Sequence, residues 1–155
     1  MVNILPTPMK YDLVAGASEG ATELNAFDGA LLKAGVGNVN LVRVSSILPP
    51  GAKRVEGLRI PPGSLVPIAY ASIVSSTPGE LIAASVGIGF TENTYGVIME
   101  FSGRCSREEA ENTIRMMVED AFAKRGMKPV RVAVIGVEHR VEKSGCAFAA
   151  VPMWY

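Results

Sequence analysis

Apolar positions along the chain recur at strand-like and helix-like spacing in a fixed order. A strand is predicted over 11–15, followed by a turn over 16–20. Thr22 is placed to cap a helix over 23–34 with Leu24, Phe27, Leu31 and Leu32 as its apolar stripe, and Gly35 to end it as a left-handed C-cap. Gly37 and Asn38 read as a turn and 39–44 as a strand, stopped by Pro49, Pro50 and Gly51. Residues 51–64 read as loop or edge strand. The β-rich runs 65–74 and 80–88 flank Ser75-Ser76-Thr77-Pro78-Gly79 and read as a hairpin. A further strand is predicted over 96–101. Ser106 and Glu109 have the spacing of a capping box, opening a second helix with Ala110, Ile114, Met117, Val118 and Ala121 on its core side and Gly126 at its end. Strands over 130–137 and 146–151 complete the chain. About seven strands and two helices that do not alternate one by one predict α+β layers rather than a doubly wound sheet.

The length of 155 residues suits a single domain, 1–155, with a sizeable core. With 48% hydrophobic and 19% charged residues, the chain is no disordered segment. Fifteen basic and fifteen acidic residues cancel, which argues against nucleic acid as a partner because no excess cation displaces its counterions. The low charged fraction points to surface hidden in an oligomer. No run approaches the about 18 apolar residues of a membrane span, and residues 1–10 carry no signal-peptide pattern, so a cytoplasmic protein without a membrane partner is expected. Cys105 and Cys146 are too few for a metal cage, and no metal is expected.

Common catalytic signatures are missing. Gly35-x-Gly37 and Gly87-x-Gly89 lack the third glycine of a dinucleotide fingerprint and read as turns. His139, the single histidine, reads as a solvated loop residue between Glu138 and Arg140. Cys146 reads as a core strand position. Cys105 precedes a helix N-terminus, which favours a thiolate, although a structural role is the preferred reading.

The informative segment is Asn40-Leu-Val-Arg-Val-Ser45-Ser46-Ile-Leu-Pro-Pro-Gly51. Ser46 Oγ can attack the Ser45 carbonyl, exchanging the peptide bond for an ester. Loss of the Ser46 α-proton then expels the upstream chain as a carboxylate. The dehydroalanine left behind takes up water and releases ammonia, giving a pyruvoyl group. A strained turn at this point would raise the peptide ground state and favour the attack, and donors aimed at the developing oxyanion would stabilise it. Ser75-Ser76 is a second serine pair, but it sits in a turn sequence.

Four segments in order now resemble one family: Leu13-Val-Ala-Gly-Ala-Ser-Glu-Gly20, Asn25-Ala-Phe-Asp28 with Leu31, Asn40-Leu through Val44-Ser-Ser-Ile-Leu-Pro-Pro50, and Gly96-Val-Ile-Met-Glu100. The whole chain resembles the pyruvoyl-dependent arginine decarboxylases of the small archaeal and bacterial type. The resemblance implies a four-layer αββα sandwich. It implies cleavage into a β chain, 1–45, and an α chain, 46–155, and a homotrimer of such αβ units with active sites between protomers. It also implies conversion of L-arginine to agmatine and CO2, serving polyamine synthesis. The pyruvoyl ketone would hold the substrate amine as a Schiff base and accept the electron pair, with no pyridoxal phosphate.

Carried onto this sequence, the resemblance makes Ser45 the new C-terminus and Ser46 the pyruvoyl precursor. Glu100, in the apolar run Gly-Val-Ile-Met-Glu-Phe, is expected to be desolvated, to hold its proton to higher pH and to act as proton donor. Asp28 would bind the substrate guanidinium, a fit for a cation that repels an acidic side chain. Leu31, Gly37, Val39 and Ile47 would line the substrate site. Asn40 would steady the Ser45 carbonyl during processing. Six residues of straight strand span roughly 20 Å, so Asn40 and Ser46 of one chain meet only if the segment bends back; otherwise a neighbouring protomer supplies one of them. Two alternatives stay open: the same chemistry on another amino acid, and an unprocessed, non-catalytic trimeric relative.

Overall fold

The computed structural model describes residues 5–155. Residues 1–4, the start of both the predicted β chain and the segment tested for a signal peptide, lie outside the described residues. The elements in order are β1 (Lys10–Tyr11), β2 (Val14–Glu19), α1 (Glu23–Ala34), β3 (Asn40–Arg43), β4 (Ile47–Leu48), β5 (Lys53–Arg54), β6 (Leu65–Ser75), β7 (Leu81–Phe90), β8 (Gly96–Gly103), α2 (Arg107–Lys124), β9 (Arg131–Arg140) and β10 (Gly145–Trp154).

Ten strands form two sheets among the described residues. The first runs β3-β6-β10-β1-β5, with β2 also paired to β10. The second is β4-β8-β7-β9 and antiparallel throughout. Their facing sides bury Ala69, Ala71, Ala147, Ala149 and Val151 against Ile82, Val86, Ile88 and Ile98. Helix α1 covers the outer face of the first sheet, setting Ala26, Ala30 and Leu31 on Ile68, Phe148 and Ala150. Helix α2 covers the second, setting Ile114, Val118 and Phe122 on Val97. The result is the four-layer αββα sandwich, a single α+β domain. Strand β10 explains its own composition: both its faces are covered, so nine successive residues from Gly145 are buried and no polar alternation survives.

Both helix starts follow their sequence signals. Thr22 Oγ1 accepts the Asn25 N–H, and Ser106 Oγ accepts the Glu109 N–H. Gly35 is left-handed at φ 84°, where a side chain would be strained.

Five local expectations need correction. Gly87-x-Gly89 lies inside β7, paired to β8 and β9, rather than in a turn. The segment 16–19 is strand rather than turn, completing β2, and the chain breaks instead between β1 and β2. Leu24 and Leu32 point into solvent; the buried face of α1 is Ala26, Ala30, Leu31 and Ala34, because α1 lies so close to β2 that small residues are required. A Cβ at Gly16 would meet the Ala30 carbonyl oxygen at 2.4 Å. The runs around 65–74 and 80–88 are not a hairpin. Strand β6 pairs β10 and β3, whereas β7 pairs β8 and β9, so the Thr77-Pro78-Gly79 turn carries the chain from one sheet to the other. Finally, His139 lies in β9, not in a loop.

Candidate active site

A second crossing between the sheets builds the site. Strand β3 runs parallel to β6 at the edge of the first sheet, and Val44 N–H continues that pairing onto the Ile68 carbonyl at 3.2 Å. Two residues later the chain belongs to the second sheet, with Ile47 opposite Val97 and Leu48 opposite Gly96 on β8. The Ser46 carbonyl already accepts the Ile98 N–H at 2.9 Å. The switch is absorbed at Ser46, which has φ 83° and is the one non-glycine with positive φ among the described residues. For a residue with a Cβ that conformation costs of order 1–3 kcal/mol and persists only where the surroundings impose it. Here they do, because pairing to β6 on one side and to β8 on the other fixes both ends.

The same strand pairing supplies the carboxylate. Along β8, Val97 packs on α2 while Ile98 enters the space between the sheets. Glu100 shares the side of Ile98, as does Ser102, whose Oγ donates to the Ser72 carbonyl of the first sheet at 3.0 Å. Ser46, only 8% exposed, donates its Oγ–H to Glu100 Oε1. Burial pushes the Glu100 carboxyl above its ordinary range; the Ser46 hydrogen bond, the Arg43 charge and a backbone N–H oppose this without cancelling it. The expected desolvated acid is therefore present, and it touches the serine.

The other expected residues fall into two groups. Ser45 is exposed, and Ile47, 42% exposed, adjoins Ser46. Gly37 and Val39 line a separate cleft of about 350 Å³ with Leu32, Asn38, Leu58, Arg59 and Ile60. Leu31 is buried between α1 and the first sheet, and Asp28 is exposed on α1. Asn40 is exposed, and its Nδ2 donates to the Gly63 carbonyl at 3.0 Å rather than to anything at Ser46. One chain thus brings together Ser46, Glu100 and Ile47, but it does not bring Asn40 to them.

Sequence reasoning missed Arg43. Its Nη2 donates to the Tyr70 carbonyl at 2.6 Å, and its guanidinium carbon sits 4.3 Å from the Tyr70 ring centroid. A cation two residues before the serine pair, between two valines, was the available signal.

Neither cysteine is activated. Burial raises the Cys105 thiol, helped by the charges of Glu109 and Glu138, so the helix N-terminus does not favour a thiolate there. Cys146 is buried in β10 and pushed up to about 11. No helix among the described residues is long and apolar enough to cross a membrane.

Fold and site together define a class: an αββα sandwich with a strained serine, at a sheet-to-sheet crossing, hydrogen-bonded to a desolvated carboxyl. The sequence profile of pyruvoyl-dependent arginine decarboxylase matches residues 10–154. The pyruvoyl-dependent arginine decarboxylase of Methanocaldococcus jannaschii is 53% identical over 150 residues, which cover 96% of this chain and 91% of that protein. Those of Pyrococcus abyssi and Methanococcus vannielii are 47% and 43% identical, covering 96% of this chain and 96% and 92% of theirs. The chain belongs to the pyruvoyl-dependent arginine decarboxylase family.

Proposed function

We propose that this chain cleaves itself between Ser45 and Ser46 and that the product decarboxylates L-arginine to agmatine and CO2. One observation carries the reading: the residue with the strained backbone is the same serine that donates to Glu100. Attack of Ser46 Oγ on the Ser45 carbonyl breaks the strained peptide bond and forms an ester, leaving the Ser46 amine free. Removal of the Ser46 α-proton expels Ser45 as a carboxylate and leaves dehydroalanine. One water enters and one ammonia leaves, so fragment 46–155 ends in a pyruvoyl group without an external cofactor.

The pyruvoyl carbonyl supplies an electron sink for the pair released with CO2. Glu100 then delivers a proton to the substrate α-carbon, a task that suits a carboxyl held protonated by burial. Asp28 pairs with the substrate guanidinium, Leu31, Gly37 and Val39 line its path, and Ile47 packs beside the reacting end. Asn40 stabilises the oxyanion during cleavage. Because Asn40 sits on Gly63 in its own chain, a second copy supplies it to Ser46, as in a homotrimer of αβ units with sites between protomers. The proposed location is the cytoplasm, and the proposed place is polyamine synthesis.

Intact mass of the purified protein is the test. Two species, 1–45 and a 46–155 fragment lighter by one ammonia than its serine-terminated form, are expected. A single full-length mass after prolonged incubation overturns self-cleavage and leaves a binding protein of the same fold. Release of CO2 from arginine but not from histidine or aspartate tests the substrate.

A further inference from the structure

We propose that Asp12 is a positioning residue for the substrate: it anchors the loop that follows β5, and that loop is part of the wall of the cleft holding Gly37 and Val39. The inference rests on the reading of that cleft as the path of the substrate guanidinium.

Asp12 is the one buried charged residue among the described residues, 5% exposed, and no step of the chemistry uses it. Its chain neighbours Tyr11 and Leu13 enter the core between the sheets, so the Asp12 side chain stands on the other side, that of α1. Taking a carboxylate out of water is costly unless donors replace the water. Three do. Oδ1 accepts the Leu13 N–H at 2.8 Å and the Arg54 Nε–H at 3.3 Å, and Oδ2 accepts the Gly57 N–H at 3.1 Å.

The bond to Gly57 reaches the loop. Strand β5 runs parallel to β1, and the Lys53 and Val55 N–H groups donate to the Met9 and Tyr11 carbonyls at 2.9 and 2.8 Å. The Asp12 N–H is turned the other way, onto the Pro152 carbonyl of β10 at 3.1 Å. Its carboxylate supplies the next acceptor in the alternation, for Gly57. Directly beyond Gly57, residues Leu58, Arg59 and Ile60 line the cleft of about 350 Å³ together with Gly37 and Val39. A smaller cleft of about 230 Å³ has Asp12, Leu58 and Ile60 among its lining residues, so anchor and wall are neighbours.

Only a carboxylate serves all three donors. It accepts at both oxygens, whereas an asparagine presents an NH2 on one side and leaves either Leu13 or Gly57 facing a donor. A wall released at Gly57 has to be ordered when substrate binds, and that ordering weakens binding. The reacting groups at Ser46 and Glu100 stay as they were.

Asp12→Asn and Leu58→Ala test the anchor and the wall separately, each as the processed protein with cleavage checked by intact mass. Asp12→Asn should raise KM for arginine by about tenfold with kcat unchanged, and amide hydrogen exchange over 55–60 should quicken. Leu58→Ala should raise KM as well. A rise for Leu58→Ala with none for Asp12→Asn overturns the proposal and keeps the cleft as the substrate path. So does unchanged exchange over 55–60, or a fall in kcat with KM unchanged, which is what a merely structural residue would give. No rise in either variant overturns the reading of the cleft, and the proposal with it. An unaltered protein that releases no CO2 from arginine overturns the functional reading and, again, the proposal. Should Asp12→Asn fail to fold, Gly57→Ala replaces it with the same outcomes, because it strains the anchored residue at φ 66° where a Cβ meets nothing within 4 Å.

Discussion

His139 Nε2 lies 2.5 Å from Glu19 Oε2, tying β9 at the edge of the second sheet to β2 on the first. Glu19 also accepts the Lys143 N–H at 2.8 Å. The space beneath is full: a Cβ on Gly145 would meet Glu19 Oε2 at 2.5 Å and His139 Cδ2 at 2.7 Å. A side chain on Gly145 would have to push the Glu19 and His139 side chains apart, so the clasp as it stands depends on a glycine where β10 passes under it.

The clasp predicts a pH dependence of stability. Desolvation pulls the Glu19 carboxyl upward, but the Lys143 and Glu142 N–H groups and His139 outweigh it and hold it below its ordinary value. A carboxyl lowered on folding contributes stability that is present above its unfolded pKa and lost as pH falls through its folded one. Glu19→Gln is expected to lower stability by about 1 kcal/mol at neutral pH. The gap to the unaltered protein should close in acid. Urea unfolding of both chains across the acid range measures it, and a constant gap would falsify the assignment.

A second prediction concerns the contact of α1 with β2. Gly16 has the Ala30 carbonyl oxygen, the Ala34 nitrogen and the Lys33 Cβ within 2.8 Å of where a Cβ would stand. Two of these are backbone atoms, which no rotamer change can move. Gly16→Ala must lift the helix, at about 1–3 kcal/mol or more. Thermal unfolding should show a clear loss of Tm, while Gly57→Ala, strained by its φ of 66° but with open space around it, should lose less.

Strain at Ser46 can be separated from its chemistry. Ser46→Ala and Ser46→Gly both lack the nucleophile, so both should give one full-length mass. Glycine accepts φ 83° and alanine does not. Ser46→Gly is therefore expected to be the more stable of the two by about 1 kcal/mol, after its larger loss of chain entropy is set against the relief. Equal stability of the two would argue that the positive φ stores no strain.

Much of this was legible in the sequence, and what was not has physical causes. Helix ends are written locally: Thr22, Gly35 and the Ser106–Glu109 pair act on the nearest backbone groups. Sheet membership is not. Strands β6 and β10 are covered on both faces, so their side chains carry no alternation that says which neighbour they pair with. The small-residue face of α1 was hidden for the same reason, since Ala26 and Ala30 bury without looking hydrophobic next to Leu24 and Leu32. At the site, Ser46 and Glu100 could be paired from motifs, and strain could be expected at the turn. That the strain falls on Ser46 itself depends on a crossing between sheets, and that crossing appears only in three dimensions. Arg43 went unread because its partner is a backbone carbonyl 27 residues away.

Asp28 offers a test of specificity that leaves the fold alone. It is exposed on α1, flanked by half-buried Phe27, and surface substitutions of this kind usually change stability by no more than about 0.5 kcal/mol. Asp28→Asn removes the charge and keeps the shape. Cleavage and Tm should be unchanged, while KM for arginine should rise at least about tenfold, the loss of a charge-assisted pair with the guanidinium. An unchanged KM would move the guanidinium site elsewhere.

Glu100→Gln separates the two stages of the chemistry. The glutamine carbonyl can still accept the Ser46 Oγ–H, so cleavage should run to completion, if more slowly. The proton donor is gone, so kcat should fall by about 10²–10⁴. The variant also reports on folding. Burial raises the Glu100 carboxyl, so its contribution to stability is fully present below its unfolded pKa and is lost as pH rises through the folded one. In the unprocessed S46A background, the chain that keeps Glu100 should lose stability relative to the one carrying Glu100→Gln as pH climbs from acid towards neutrality. This is the opposite sense to Glu19, where burial is outweighed by hydrogen bonds. Denaturant midpoints of the two chains across that range would show it. A gap that stays flat, or opens the other way, would mean that Glu100 folds as an ordinary ionised carboxylate and does not reach neutral pH with a proton to give.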